Sequence, residues 1–373
     1  MSASHTDRVD GETVDRRQKA LAYVDLKGRG LEIGPSYDPL VPKSSGARIE
    51  TVDHASRTEL IEKYRGHDVS AEKIASIEEV DHIWMRGSLV DLIGEPGGFD
   101  YIVASHMIEH TVDMIGFLQD CEALLREGGR LALVIPDKRY CFDRFQPLTS
   151  AGGVVDGHQS GSRFHPLGSV IDHYAYGVQR GPGVIAWDSA TTTPVALRYP
   201  DLRSCSEVFE QARRQEDYID IHRWRFTPTS FRLLLGDLRE LGYHGLAEVG
   251  SFDTDGFEFF ITLARTKVPP AADDRLTMLH RIEQELCSAV ESVVPAAELH
   301  RCEEAAAEQV ERLRAASAAE LRRSAEVSAA EVERLRVALS ECEATLNGVL
   351  SSKSWRITGP LRAFSQVLRR NSR

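Results

Sequence analysis

The sequence predicts an α/β fold built on a mostly parallel sheet, and three observations carry that expectation. Short apolar runs alternate with amphipathic helical runs between residues 31 and 135, the pattern of strands crossed over by helices. Two later apolar runs, 245–252 and 257–263, are joined by Asp253-Thr254-Asp255-Gly256, a hairpin signal. Beyond Pro269-Pro270 the chain becomes rich in Ala, Glu, Arg and Leu at helical spacing, which predicts a long terminal helix.

Each element has its own signal. Residues 1–14 are polar and expected to fray, and the N-terminus does not read as a signal peptide. Leu21, Val24 and Leu26 predict a helix over 15–27. Leu31 to Ile33 end a buried strand, broken by Gly34-Pro35; a second strand covers 47–53 and closes on Asp53. Ser56 is a candidate N-cap for a helix over 57–65. A third strand covers 80–84, and Phe99 to Ser105 is the clearest buried strand. Met114, Phe117, Leu118, Cys121, Leu124 and Leu125 share one face of a helix over 113–127, ended by Gly128-Gly129. Arg130 to Ile135 form the next strand. Thr227-Pro228 opens a helix over 229–241.

Between about 142 and 218 no clear period survives, and the stretch is rich in Gly, His, Arg and Tyr. Such a length predicts a lid or inserted subdomain. The expected organisation is a flexible 1–14, a globular domain over 15–267 with an acceptor-binding insert at 145–225, a linker and helix over 268–295, a coiled coil over 296–350 and a basic amphipathic tail over 351–373. Val310, Leu313, Leu321, Val332, Leu335, Leu339, Cys342, Leu346 and Val349 keep the spacing of a coiled-coil seam. A single solvated helix also fits this pattern, and the seam favours a homo-oligomer through the coiled coil.

Composition excludes several classes. A formal net charge of −12 excludes a general nucleic-acid binder. Six cysteines without C-x-x-C spacing predict neither a zinc site nor a disulfide framework, so no metal is expected. No run of eighteen apolar residues occurs. The expected compartment is a reducing cytoplasm, with peripheral contact at the inner face of the plasma membrane.

The chemistry centres on Gly30-Leu31-Glu32-Ile33-Gly34-Pro35 and on Asp53 about twenty residues later. A carboxylate at the end of the second strand suits the hydroxyls of a ribose. A dinucleotide, however, needs backbone amides around its pyrophosphate. Here the turn reads Gly34-Pro35-Ser36-Tyr37-Asp38-Pro39, with two prolines that lack N–H groups and one acid. S-adenosylmethionine has no phosphate and carries a sulfonium cation and an amine. Glu32 beside Gly34 suits that ligand, with Ser88 and Leu89 placed to border the adenine and Ser105 at the edge where a methyl group would be presented.

At this point Leu31-Glu32-Ile33-Gly34-Pro35, Val52-Asp53, the block from Phe99 to His110 and Gly128-Gly129-Arg130-Leu131 resemble class I SAM-dependent methyltransferases, most similarly those of bacterial surface-polysaccharide biosynthesis. The resemblance covers roughly residues 20–265. It implies a Rossmann-like class I methyltransferase sheet with a terminal antiparallel hairpin. It also implies S-adenosylmethionine as cofactor, held by Glu32, Gly34, Pro35, Asp53, Ser88, Leu89 and Ser105 with His106 alongside. Ser36 and Tyr37 are candidates for its methionine end.

Methyl transfer to a hydroxyl needs positioning and a base. The catalytic candidates are His106, Asp137 and His110, with His165, His173 and His222 as further possible bases. Asp137 and Arg139 are expected to face the active-site edge, and Asp143 and Arg144 to be a salt-bridged loop or part of the site. The rings of His222-Arg223-Trp224-Arg225-Phe226 suit a sugar or pack a lid. The tail from Ser351 to Arg362 resembles a motif that follows coiled coils in glycosyltransferases and methyltransferases of polysaccharide assembly. It implies contact with a glycosyltransferase or a membrane surface. The function expected is O-methylation of a sugar or glycan acceptor. The alternatives are a non-catalytic assembly protein of the same fold and a methyltransferase acting on a non-glycan small molecule.

Overall fold

A computed structural model describes residues 7–9, 12–66, 69–266, 274–288, 296–353 and 358–359. The chain forms two compact units, Met1–Val290 and Glu291–Arg373. The linker expected at 267–272 and most of the basic tail lie outside the described residues.

Seven strands make the central sheet of the first unit: β1 (Arg29–Ile33), β2 (Arg48–Asp53), β3 (His82–Ile83), β4 (Phe99–Ser105), β5 (Leu125–Pro136), β6 (Leu246–Asp255) and β7 (Glu258–Arg265). Their spatial order is β3-β2-β1-β4-β5-β7-β6. The first five are parallel, while β7 enters antiparallel beside β5 and pairs with β6 as a hairpin. The order reverses between β1 and β4, so Gly34 and Ser105 leave the sheet side by side in a crevice at its carboxyl edge.

The buried strands are apolar on both faces. Leu31, Ile33, Ile102, Ala104, Leu131, Leu133 and Ile135 pack toward the helices Met114–Leu124 and Pro228–Glu240, while Tyr101, Val103, Ala132 and Val134 face a second cluster with Leu40 and Val41. Helix Arg57–Arg65 opens on Ser56 with a full capping box, and helix Pro228–Glu240 on Thr227 with another.

Four boundaries differ from the sequence expectation. The first helix stops at Leu21, and hydrogen-bonded turns follow it. The third strand shrinks to two residues. The helix expected to reach residue 127 ends at Leu124, because Leu125 already pairs with Phe99. Gly128 and Gly129 therefore lie within the β5 run, with Gly128 at φ +74°, and do not cap the helix. The helix Arg275–Ser288, expected to belong to a linker region, is bound to the domain: Thr229 Oγ1 donates to Glu285 Oε1 at 2.5 Å.

The insert is more regular than its sequence. It holds helices Ala151–Gln159, Leu167–Tyr176 and Ser206–Arg214, and a two-residue hairpin. Val170, Ala212 and Ile221 give it a small core of its own. Helix Ala151–Gln159 contains three glycines, a poor helical composition. Tertiary packing decides it: a Cβ at Gly157 would fall 2.7 Å from Arg223 Nη2.

The second unit contains the helix Ala296–Ser351. Val310, Leu313, Leu321, Val332, Leu335, Leu339, Leu346 and Val349 are exposed along it. No helix among the described residues is long and apolar enough to cross a membrane.

Candidate active site

The turn after β1 is held by two carboxylates. Glu32 is 1% exposed, and its oxygens accept the N–H groups of Leu40 at 2.6 Å and Val41 at 2.9 Å. Burial pushes its carboxyl up to about 7, with the two amide hydrogen bonds holding it from rising further. Glu32 thus folds the Pro-rich loop back over the end of the strand. Asp53, 4% exposed, accepts the N–H of Ser36 at 3.0 Å through one oxygen and that of His54 at 2.7 Å through the other.

Between these anchors the backbone is left-handed. Gly34 has φ +70°, with its N–H donated to Val52 O at 2.8 Å, and Ser36 has φ +50°. Only glycine adopts the first conformation without cost. Pro35, Ser36, Pro39, Thr51, Asp53, Leu60, Glu78 and Val80 line a cleft here. Its donor set fits a nucleoside without phosphates. Asp53 Oδ2, which accepts only Ser36 N–H, keeps a lone pair for a ribose hydroxyl, while Oδ1 also lies 2.7 Å from His54 Nδ1; Leu60 and Val80 offer apolar surface, and the prolines present no N–H to a pyrophosphate.

The end of β4 is a charged cluster. Ser105 Oγ accepts from Arg16 Nη2 at 2.8 Å, and Arg16 Nε donates to Glu258 Oε1 at 2.5 Å. His106, at φ +50°, has Nε2 2.7 Å from Glu258 Oε2 and Nδ1 3.3 Å from Glu109 Oε1. Burial lowers the pKa of this imidazole, but hydrogen bonds and charges from Glu109 and Glu258 outweigh it and hold the ring at about 9. At neutral pH these two carboxylates favour the protonated ring, which engages both of them. Backbone strain of this kind gathers at functional sites.

Two other expectations change. Leu89 is 0% exposed within the core, and its N–H donates to Asp120 Oδ2 at 2.6 Å. Its side chain packs the sheet and cannot border an adenine. Ser88 caps the helix Leu89–Ile93 and donates to Asp120 Oδ1 at 2.8 Å. Asp137 is 0% exposed; its oxygens accept Nε and Nη2 of Arg139 and the hydroxyl of Thr254. With its lone pairs taken up, it is a structural ion pair and not a base at the site edge. Arg139 faces the same interior, donating to Glu285 O at 3.1 Å.

The insert returns to the site through residues 222–226. The N–H groups of Arg223 and Trp224 both donate to Glu109 O, at 2.8 and 3.2 Å. Trp224 is buried in the main core and donates from Nε1 to Thr111 O at 2.7 Å, so it packs the domain interior and presents no face to a sugar. His165 and His173 are buried within the insert, where burial lowers their pKa to about 3 and about 4. Asp143 lies 2.5 Å from His222 Nδ1. His110 Nδ1 stands 2.8 Å from Asp220 Oδ1. More than a hundred positions separate Glu109 and His110 from His222, and only the fold joins them.

Residues 6–197 match a family model described as a methyltransferase domain. A ubiquinone biosynthesis O-methyltransferase from Methylocella silvestris is 34% identical over 123 residues, covering 33% of this chain and 44% of that protein. The match thus spans less than half of that relative's length. A protein of known structure from Pyrococcus horikoshii has 12% identity and a TM-score of 0.35, over 66% of this chain and 85% of the other. A SAM-dependent methyltransferase from Aquifex aeolicus has 10% identity and a TM-score of 0.31, over 68% and 91%. The family match covers the turn after β1, the end of β2 and the end of β4. By that match and by its sheet order the chain belongs to the methyltransferase domain family, with S-adenosylmethionine as cofactor.

Proposed function

We propose that this protein transfers a methyl group from S-adenosylmethionine to a hydroxyl oxygen of a sugar or glycan acceptor in surface-polysaccharide biosynthesis. The observation that carries the cofactor half is the turn Glu32–Val41 closed on Asp53: a left-handed Gly34 and a ribose-ready carboxylate, with prolines where phosphate amides would be needed. The cofactor supplies an electrophilic methyl on a sulfonium. The chain's residues hold it and place it: Asp53 takes the ribose, Gly34 and Pro35 let the ligand lie on the backbone, and Ser105 and His106 line the edge where the methyl is offered. Arg16 and Glu258 keep that edge rigid.

Oxygen as the acceptor atom accords with the name of the Methylocella relative. That same name supports a second reading, a hydroxyl on a non-glycan small molecule. The apolar stripe on Ala296–Ser351 supports self-association through a coiled coil, and the basic composition of residues 353–373 supports contact with a glycosyltransferase or an anionic membrane.

The test is incubation with methyl-labelled S-adenosylmethionine and, in separate arms, nucleotide sugars, lipid-linked glycans and phenolic small molecules. Label in a sugar arm supports the proposal. Label confined to the phenolic arm replaces the acceptor class. Calorimetry that detects no cofactor binding removes the reading altogether.

A further inference from the structure

We propose that Glu109, His110 and His222 form a binding site for a first-row divalent metal ion at the carboxyl edge of the sheet. Glu109 and His110 sit on the turn Ile108–His110 directly after β4, and His222 arrives from the end of the insert. One ligand atom from each lies within 4.8 Å of the others, with Glu109 Oε1 3.9 Å from His110 Nε2. The two rings meet edge-on, with centroids 4.6 Å apart. Ligands of a tetrahedral ion at about 2.0–2.1 Å stand about 3.3 Å from one another. Closing on an ion therefore asks for side-chain shifts of only about 1 Å.

Three features separate this group from a chance gathering of polar residues. First, each histidine has its Nδ1 against a carboxylate. Asp220 Oδ1 is 2.8 Å from His110, and Asp143 Oδ2 is 2.5 Å from His222. That leaves Nε2 of both rings as the ligand atom, with His222 in the carboxylate–histidine–metal arrangement that orients a ligand and sets its tautomer, and His110 Nδ1 close to Asp220 without an aligned hydrogen bond. Asp143 is itself held by Gln146 Nε2 at 2.5 Å. Second, Glu109 is fully buried, and its oxygens have no close donor besides the long contact to the His106 ring. Its nearest polar neighbours are His106 Nδ1 at 3.3 Å and His110 Nε2 at 3.9 Å. The His106 ring stands closer to Glu258, at 2.7 Å, so the Glu109 oxygens keep acceptor capacity for a cation. Third, the two segments are fastened together through the Glu109 carbonyl, which accepts both Arg223 and Trp224 N–H groups.

The His110 side chain is 23% exposed, which leaves a way in for an ion. Two imidazoles and one carboxylate, without a thiolate, suit zinc, iron(II) or manganese(II) and leave coordination positions open. A hydroxyl or water bound there would lose its proton more readily. That role in acceptor activation rests on the methyltransferase reading; metal binding does not.

The test strips the purified full chain with a chelator, then titrates it with ZnCl2 by calorimetry and with CoCl2 by visible absorption, without S-adenosylmethionine. The expected result is one equivalent bound, with the visible bands of tetrahedral cobalt. Glu109→Gln and His222→Ala should each weaken binding roughly 100-fold, and Asp143→Asn about tenfold through orientation of His222. Because Glu109 and His222 are buried, the partly exposed His110→Asn is the variant that keeps the test decisive should those two fail to fold. Absence of saturable binding, or binding that His110→Asn leaves unchanged, overturns the proposal. Cofactor binding is read separately, so its failure removes the proposed function and leaves the metal result standing.

Discussion

Arg139 closes on Asp137 in an ion pair sealed from water: Nη2 donates to Oδ2 at 2.5 Å, and Asp137 is 0% exposed. Removing one partner of such a pair leaves the other charge buried and uncompensated. Asp137→Ala should therefore lower unfolding free energy by about 3–5 kcal/mol in urea titration. Cofactor affinity of the remaining folded protein should stay at the parent value. A variant of full stability that has lost turnover would return Asp137 to the chemistry.

Glu32 acts on the cofactor loop through Leu40 and Val41. In Glu32→Gln one acceptor oxygen becomes an amide NH2, a donor that faces a backbone N–H. The lost pairing should cost about 1–3 kcal/mol of stability. A loosened loop should also weaken S-adenosylmethionine binding about tenfold, equivalent to about 1.4 kcal/mol. Calorimetry and thermal melting read the two effects; unchanged affinity would mean that the loop's shape does not depend on this carboxylate.

Gly34 meets two demands at once. Its φ is +70°, and a Cβ there would stand 3.3 Å from Met107 Sδ. Gly34→Ala should destabilise by about 1–2 kcal/mol through the left-handed backbone. Gly34→Asn should cost less backbone strain, because asparagine tolerates that region. If stability fell equally in Gly34→Ala and in Gly34→Ala with Met107→Ala, backbone conformation alone would account for the loss.

Three buried histidines make the fold acid-sensitive. Burial lowers His244 to about 4, with the Arg239 charge adding to it, and burial likewise lowers His173 to about 4 and His165 to about 3. An unfolded histidine titrates near 6.5, so below that pH the unfolded chain takes up protons that the folded chain refuses. The stabilisation is fully present above about pH 6.5 and is lost progressively as pH falls toward 4. Urea midpoints should fall across that window, less steeply than the histidines alone would give because the raised Glu32 carboxyl takes up its proton in the folded state there, and His244→Phe should flatten part of the slope. A midpoint independent of pH there would show that these rings take up protons without unfolding.

Much of the sheet was legible because its signals are local. Phe99 to Ser105 reads as a buried strand wherever it is placed, Ser56 caps a helix through its own third neighbour, and Asp-Gly turns a hairpin within four residues. The cofactor turn was legible for the same reason, since Glu32, Gly34 and Asp53 lie within one strand–helix–strand unit. The insert was not. Helix Ala151–Gln159 has the composition of a loop and becomes helical because Val154 is buried in the main core.

By itself, the sequence determined the α/β class, the strand assignments of the sheet and the phosphate-free character of the turn, because periodicity, capping and the missing proline N–H are properties of neighbouring residues. Only the tertiary structure decided which charged groups work and which are sealed. Asp137 and Leu89 turn inward because the hairpin and helix Met114–Leu124 close over them. Glu109, His110 and His222 meet because main-chain hydrogen bonds tie the end of the insert to the loop after β4. Burial and long-range pairing set those outcomes, and neither is written in local spacing.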